Sequence, residues 1–430
     1  MRRLLRAARG DMFRSFAFRN FRLFFSGQLI SQVGNWLTTI AQTLLVLHLG
    51  GSGLAVGLLA ACQFLPVLLI GAWTGLVADR SDKRRLLLIV QALAMVQSFV
   101  LAALAFTGDP PLWSIYLVAG AGGILVAFDN PARRAFVVEM VPDDHVNNAV
   151  SLNSALMTGS RVIGPALAGL LIHLVGYGWT FALDGLSYAA VLAGLWAMNP
   201  AELRRTEPTP KAKGQVRAGL RYVASVHDLW VPLTMIAIVG TLAFNYQVVM
   251  PLFVHDAMDA GDTAFTILFS VLSVGSFIGA LAAARRADVP LQRVARAATG
   301  FGVALLLLAV TPSFGMALAA ALLVGVASTT FMTSCTAIVQ VRADAAMRGR
   351  VLALQAMLFL GSAPLGGPVL GLVSDTFGAR FAVGLGGIAA LGAGTWGLTF
   401  GRGRTPGRAE QLPSLTVPGT ASSAGAATAS

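Results

Sequence analysis

The chain has 430 residues, of which 56% are hydrophobic and 12% are charged, and its formal net charge is +12. Ordinary soluble domains carry about 25% charged residues, so a soluble fold could not bury this much apolar surface. The basic residues are separated by whole apolar stretches and form no contiguous patch, which argues against nucleic acid as a partner. The two cysteines, Cys62 and Cys335, cannot build a disulfide framework or a metal site, and we expect no metal and no cofactor.

Twelve apolar stretches are long enough to cross a membrane, since a helix of about 20 residues spans about 30 Å of hydrocarbon. In chain order they cover residues 23–48, 54–78, 86–107, 112–132, 149–175, 179–198, 230–254, 263–284, 294–311, 314–340, 351–374 and 379–400. They predict an all-α membrane protein with twelve transmembrane helices in two pseudo-symmetric six-helix bundles.

The stretches also divide the chain into domains. The two bundles are expected at residues 23–198 and 230–400, joined by a cytoplasmic linker at 199–229. A cytoplasmic segment at 1–22 precedes them. Residues 401–430 are rich in Gly, Ser, Ala, Thr and Pro with few large apolar residues, which predicts a disordered cytoplasmic tail.

The basic residues predict the orientation of the helices. All but two of the 31 Lys and Arg residues lie in the terminal segments or in alternate gaps between the apolar stretches. Arg380 lies on the other side, and Arg161 lies inside a stretch. Because cytoplasmic loops carry an excess of Lys and Arg, we expect a multi-pass protein of the plasma (inner) membrane with both termini in the cytoplasm.

The two halves contain similar patterns at an offset of about 200 residues. The fifth span carries Gly164-Pro165 and then Gly169, and the eleventh carries Gly367-Pro368 and then Gly371. The alternative is a coincidence of Gly and Pro in Gly-rich membrane helices. Secondary transporters are often built from such repeats, with the substrate site near the membrane midplane between them.

The gap between the second and third spans has a distinctive pattern. Gly75 permits the close approach of another helix. Asp79 ends its helix, where the macrodipole disfavours an anion, so it needs a partner that can be present in one conformation and lost in another. The spacing of these residues with Arg80, Arg84 and Arg85 resembles the loop signature of the major facilitator superfamily. This resemblance assigns Gly75, Asp79, Arg80 and Arg84 to gating.

The fifth span combines a kink with a buried charge. Pro165 removes a backbone donor and kinks the helix, and Gly164 supplies close packing. This pair resembles the Gly-Pro motif of the superfamily's drug exporters, which favours export and assigns both residues to gating. Arg161 lies about 12 residues, or about 18 Å, from the cytoplasmic end. That depth favours a gating or functional role over a side chain that snorkels to the surface.

Across residues 12 to 400 the chain is similar to the exporter branch that contains the enterobactin exporter and macrolide efflux pumps. The matching positions include Asp129 and Arg133 after the fourth span, which we also assign to gating. The chain departs from several relatives at Asn35, where they carry an acidic residue. Asn35 cannot take up a proton.

The resemblance implies that the first, fourth, seventh and tenth spans face a central cavity. Polar residues of the first span fall on one helical face, and the seventh and tenth spans add others. Such residues line a cavity or join helices by hydrogen bonds, and for the threonines the two interpretations are equally open. The predicted substrate-cavity residues are Gln28, Gln32, Asn35, Asn245, Tyr246 and Thr333.

Asp184 is the one carboxylate predicted well inside a span, in the sixth helix. It could be the protonatable group, the partner of Arg161 on the adjacent helix, or a residue solvated near the outer interface. Counted from the turn between the helices, the two side chains differ in depth by about 13 Å, which makes direct pairing doubtful. We predict that Asp184 and Arg161 take part in ion coupling through water or a third group.

Together these features predict a secondary active transporter that exports small amphipathic molecules, drugs or siderophore-like metabolites, by alternating access with proton antiport. Its partners would be the small-molecule substrate, membrane lipid and protons, and we expect a monomer. The alternatives are an importer of a small metabolite and, in another class, a non-transporting membrane scaffold or sensor. The chain has no Gly-rich phosphate loop between a strand and a helix, and we expect no enzyme activity.

Overall fold

The computed structural model describes residues 13–204, 215–284 and 290–401. The predictions for the first twelve residues, for 205–214 of the linker and for the tail from 402 onward lie outside the described residues. Within the described ranges the chain is helical and contains no β-strand, which confirms the all-α prediction.

The first half consists of five long helices that follow a short 3₁₀ turn, Arg14–Ala17. They are α1 (Arg19–His48), α2 (Gly53–Arg80), α3 (Lys83–Phe106), α4 (Leu112–Glu139) and α5 (Val146–Ala197). Helix α5 contains both the fifth and the sixth predicted spans. Gly176 interrupts it with φ 79° and ψ 177°, a backbone conformation that glycine adopts without steric cost. The chain therefore reverses between the two arms of α5.

The second half begins with a surface helix from the linker and continues with the remaining spans. Its helices are α6 (Gln215–Ser225), α7 (His227–Ala243), α8 (Tyr246–Leu252), α9 (Asp262–Ala284), α10 (Leu291–Ala309), α11 (Phe314–Arg342), α12 (Ala345–Phe377) and α13 (Ala379–Gly401). The seventh predicted span is interrupted at Asn245, whose φ of −84° and ψ of 51° are not helical. It therefore comprises α7, α8 and the π-helical turn Phe253–Ala257.

Ten helices in the described residues are long and apolar enough to cross a membrane. One of them covers Asp143–Ala197 and includes both arms of α5. Helix α1 is 30 residues long but carries a polar stripe, and it is not among the ten. Counting both arms of α5 and adding α1, the structure is compatible with the twelve expected spans.

The helices pack in the same way in the two halves. In the first half α1 and α3 pack against α5, and α2 packs against α4. In the second half α10 packs against α13, and α9 packs against α11. The halves meet along two pairs, α2 with α12 and α5 with α9. The expected pseudo-symmetry relates these two pairs to each other. Helices α2 and α9 are the second spans of their halves, and the fifth spans are the first arm of α5 in one half and α12 in the other.

We call the two ends of the bundle the basic face and the far face. The basic face carries the α2–α3 turn with Arg80 and Arg84, and the far face carries the α1–α2 turn and the end of α12. At the far face the Asp375 carboxylate accepts hydrogen bonds from the backbone N–H groups of Gly53 (2.6 Å) and Leu54 (2.9 Å). The Tyr177 hydroxyl donates to Asp262 at 2.8 Å. These bonds join the two halves at the far face.

Candidate functional site

A cavity of about 460 Å³ lies between the halves near mid-depth of the bundle. Helices α1 to α5 of the first half and α7, α8, α9 and α12 of the second half contribute to its wall. The wall is mixed, with aromatic side chains facing amide and hydroxyl groups. Its polar residues include Gln32, Asn35, Gln42, Gln63, Gln97 and Asn245, and its aromatic residues include Trp36, Phe244, Phe269 and Phe359.

Four of the six predicted cavity residues line this cavity: Gln32, Asn35, Asn245 and Tyr246. Gln28 does not. It is 1% exposed and accepts a hydrogen bond from Gln32 at 3.1 Å, one helical turn below the cavity wall. Gln28 therefore orients a cavity residue instead of reaching the cavity itself.

Thr333 also lies outside the cavity wall, and among the described residues no part of α11 contributes to that wall. Helix α11 packs against α9 and α10. Its neighbouring Thr336 accepts a hydrogen bond from Gln355 of α12 at 2.7 Å. The prediction that the tenth span faces the cavity is corrected by this packing. The hydrogen bond supports the other interpretation of the threonine stripe, in which its hydroxyl groups join helices.

The break in the seventh span positions two aromatic residues beside the cavity. The side-chain amide of Asn245 donates to the Thr241 carbonyl at 2.7 Å, which satisfies an acceptor left free where α7 ends. Phe244 and Tyr246 flank this break, and both line the cavity. Phe244 also packs edge to face with Phe359 at a centroid distance of 5.1 Å. The interruption therefore lets one span present Phe244, Asn245 and Tyr246 together.

Arg161 lines the cavity from the first arm of α5. Its guanidinium carbon lies 5.8 Å from the centre of the Trp36 ring, which is within the range of a cation–π contact. A Cβ at Gly164 would collide with the Cβ of Trp36, so glycine at this position allows α1 and α5 to approach. In the part of the chain that the structure describes, Arg161 has no salt bridge, and its buried Nε has no hydrogen-bond partner.

Asp184 lies just behind the cavity wall and is 0% exposed. Its carboxylate accepts hydrogen bonds from Thr38 of α1 (2.6 Å), Ser98 of α3 (2.8 Å) and Ser187 of its own helix (3.3 Å). Thr38 and Ser98 themselves line the cavity, so a single hydroxyl layer separates the carboxylate from it. This burial excludes the interpretation of Asp184 as a residue solvated at the outer interface. Among the described residues Asp184 forms no hydrogen bond or salt bridge with Arg161, in agreement with the expected mismatch in depth.

The family model described as transmembrane secretion effector matches residues 11–419. The chain belongs to this family of the major facilitator superfamily. This confirms the resemblance seen in the loop and Gly-Pro motifs. Members of this superfamily are multi-pass integral membrane transporters of small molecules, and they are not enzymes.

Two relatives are similar to this major facilitator over different lengths of the chain. The staphyloferrin A transporter of Staphylococcus aureus is 26% identical over 267 residues, which are 60% of this chain and 66%, just under two thirds, of that protein. The multidrug efflux pump Tap of Mycobacterium tuberculosis is 24% identical over 368 residues, 81% of this chain and 86% of the pump.

Solved structures agree with the fold. A bacterial homologue of the human lysosomal transporter Spinster, crystallised in an inward-facing and occupied conformation, superimposes with a TM-score of 0.72. The alignment covers 91% of this chain and 97% of that one, at 14% identity. At this identity the likeness shows that the two proteins share a fold.

In this major facilitator, several residues predicted for gating form bonds within the first half. Asp129 accepts from Gln91 at 2.7 Å and pairs with Arg133 at 2.8 Å, and Asp129 also lines the cavity. Arg84 donates to the carbonyl groups of Leu195 (2.8 Å) and Trp196 (3.3 Å) at the end of α5. These contacts fix α3, α4 and α5 relative to one another, so in this conformation they stabilise the half as a unit.

The remaining predicted gating residues lie along α2 and α5. Gly75 is near the basic end of α2, and no described atom lies within 4 Å of the position that a Cβ would take there. Asp79 is half-buried and Arg80 is exposed at the end of that helix. Pro165 is buried inside α5 next to Gly164. The contacts that join the halves at the far face, Asp375 with Gly53 and Tyr177 with Asp262, were not predicted from the sequence, because no periodic pattern marks them.

Proposed function

We propose that this chain is a secondary active transporter that exports small amphipathic molecules, drugs or siderophore-like metabolites, by alternating access with proton antiport. One observation carries the proposal: a cavity lined by aromatic and amide side chains lies between two halves that are bonded together at the far face. A site that faces one side of the membrane at a time is the requirement for transport by rocking of two repeats.

The direction of transport rests on the orientation and on the motifs. We propose that the basic face is cytoplasmic and that both termini lie in the cytoplasm of the plasma membrane, because Lys and Arg accumulate on that side. The structure would then represent a state whose outer side is closed. The kinked α5 with Gly164 and Pro165, together with the similarity to the efflux pump Tap, favours export over import.

For proton coupling we propose Asp184. It is a fully buried carboxylate held by hydroxyl groups, and two of these hydroxyls line the cavity. A carboxyl group in such a position can exchange a proton with the cavity when the chain changes conformation. Asn35 also lines the cavity, but its amide cannot carry a proton.

The test uses membrane vesicles of defined orientation that contain the protein and an imposed pH gradient. Inside-out vesicles with an acidic lumen should accumulate fluorescent amphipathic dyes, and a protonophore should abolish the accumulation. Accumulation in right-side-out vesicles alone would favour the importer. If neither orientation moved any dye, of any charge, under any gradient, the scaffold or sensor interpretation would replace this proposal.

A further inference from the structure

The cavity contains one charge that no other group balances. Of the described residues in its wall only Asp129 and Arg161 are charged. Asp129 is neutralised by Arg133 at 2.8 Å and accepts a further hydrogen bond from Gln91. Arg161 has no carboxylate partner among the described residues. The cavity therefore presents a net positive charge to any molecule inside it.

An unbalanced guanidinium between packed helices is costly, because it loses water without gaining an anion. The sequence makes Asp184 a candidate for the anionic partner, but its two oxygens are occupied by the hydroxyls of Thr38, Ser98 and Ser187. Trp36 stacks near one side of the Arg161 guanidinium, but a ring face compensates only part of a full charge. Arg161 is thus held in place with hydrogen-bonding capacity unused.

Tyr246 provides a second unused polar group, and it comes from the other half of the protein. Tyr246 is 4% exposed, lines the same cavity, and lies within electrostatic range of Arg161. Among the described residues its hydroxyl makes no hydrogen bond of good geometry, and its close polar neighbour is the Ser328 hydroxyl, which itself donates to the Gly325 carbonyl at 3.0 Å. Buried hydroxyl groups are rarely left without partners, and such exceptions indicate a ligand or a functional role.

We propose that the transported molecule is an amphipathic carboxylate whose acid group binds Arg161 and Tyr246. This inference rests on the proposed transport function and adds the chemical class of the substrate. The planar guanidinium can donate two parallel hydrogen bonds to a carboxylate, and the phenol donates a third. The apolar part of the substrate would lie against Phe244, Phe269 and Phe359. Because Arg161 belongs to the first half and Tyr246 to the second, one carboxylate would bridge the two halves.

The first experiment measures equilibrium binding to the purified full-length protein by calorimetry, using three probes with the same ring: naphthoate, naphthamide and naphthylmethylamine. Naphthoate should bind at least about tenfold more tightly than the other two, as expected for charge-assisted hydrogen bonds. Arg161→Met should reduce naphthoate affinity by at least about tenfold and leave naphthamide unchanged. Tyr246→Phe, which removes one oxygen only, should weaken naphthoate selectively by about threefold to tenfold.

Two further variants keep the test independent of folding defects. Arg161→Lys retains the charge without the planar fork, so its naphthoate affinity should fall between those of wild type and Arg161→Met. Arg296→Met is the matched control, because Arg296 is exposed on α10 away from the cavity and its loss removes the same charge. That control should bind all three probes like the wild type. Equal binding of the three probes, tighter binding of the amine, no binding of naphthoate, or a naphthoate preference that survives in Arg161→Met would overturn the inference.

Transport of the same three probes in the oriented vesicles separates this inference from the proposed function. Selective binding of naphthoate without gradient-driven movement of any probe would support the carboxylate site and contradict transport. If all three probes were transported equally under the gradient, and equally by the wild type and Arg161→Met, the result would support transport and contradict the carboxylate site.

Discussion

Asp375 at the end of α12 caps the beginning of α2, because its carboxylate accepts the backbone N–H of Gly53 at 2.6 Å and that of Leu54 at 2.9 Å. The first N–H groups of a helix have no partner within the helix. Here Ser52 satisfies the next one, that of Ala55, at 3.3 Å. The start of α2, in the first half, is therefore capped by a side chain of the second half. When the far face opens, these N–H groups must form hydrogen bonds with water instead.

We predict that Asp375→Ala shifts the protein away from the conformation described here. Removing an N-terminal cap costs about 1 kcal/mol, so the ratio of far-face-closed to far-face-open molecules should fall about fivefold. Single-molecule energy transfer between dyes on the two halves measures that ratio directly. Asp109→Asn, which removes an exposed carboxylate at the same face, is the control and should leave the ratio unchanged.

Replacing either of two glycines of α2 by alanine should change the ratio of far-face-closed to far-face-open molecules, and the two replacements should change it in opposite directions. A Cβ at Gly57 would collide with the backbone of Gly367 in α12, whereas at Gly75 it would meet no described atom. Overpacking costs about 1–3 kcal/mol, so Gly57→Ala should reduce the far-face-closed population about fivefold or more. We propose that another helix approaches Gly75 only when the basic face closes, so Gly75→Ala should instead favour the present conformation. A shift in the same direction for both would contradict this account.

Asp184→Asn should remove the pH dependence of transport while preserving the fold. The amide keeps the size of the carboxylate and can still accept from Thr38 and Ser98, but it cannot exchange a proton. Efflux rates in vesicles across the range from acidic to neutral pH provide the measurement, at equal membrane abundance. A variant whose rate still followed pH as in the wild type would remove Asp184 as the coupling group.

We propose that the Asp79 carboxylate faces a helix N-terminus in one of the two conformations, a contact that contributes about 0.3–1 kcal/mol, so Asp79→Asn should slow transport about twofold to fivefold. We assign Asp79 to the gate of the basic face on the loop pattern, so its loss should disturb the balance between the two conformations. The check is turnover per molecule in proteoliposomes. Wild-type turnover in Asp79→Asn, at the same protein density, would contradict the assignment of Asp79 to this gate.

Element boundaries follow from the sequence because they depend on local composition. The second span was predicted at 54–78 and lies at Gly53–Arg80, and the turn between the fifth and sixth spans was predicted near Gly176, where the backbone reverses. The interruption of the seventh span at Asn245 was not predicted, since the apolar run continues through it. Hydrophobic length indicates where a helix crosses the membrane, but it does not report a local break.

The candidate site was predicted only in part, because a helical period shows that a polar face exists without showing what it meets. The polar face of α1 meets the cavity, whereas that of α11 meets neighbouring helices, and Thr333 is wrong as a cavity residue for that reason. Asp184 is buried because Thr38 and Ser98 converge on it from two other helices. Convergence of residues far apart in the chain leaves no periodic signal.

Paired distances measured across both faces would show whether the two faces of the protein open in alternation. Spin labels at Thr107 and Thr376 would report the far face, and labels at Arg85 and Arg348 the basic face, in a background without Cys62 and Cys335. We expect that lowering the pH or adding a transported compound lengthens one distance and shortens the other, and that Asp375→Ala favours the longer far-face distance. Two distances that stay constant, or that change in the same direction under every condition, would contradict alternating access.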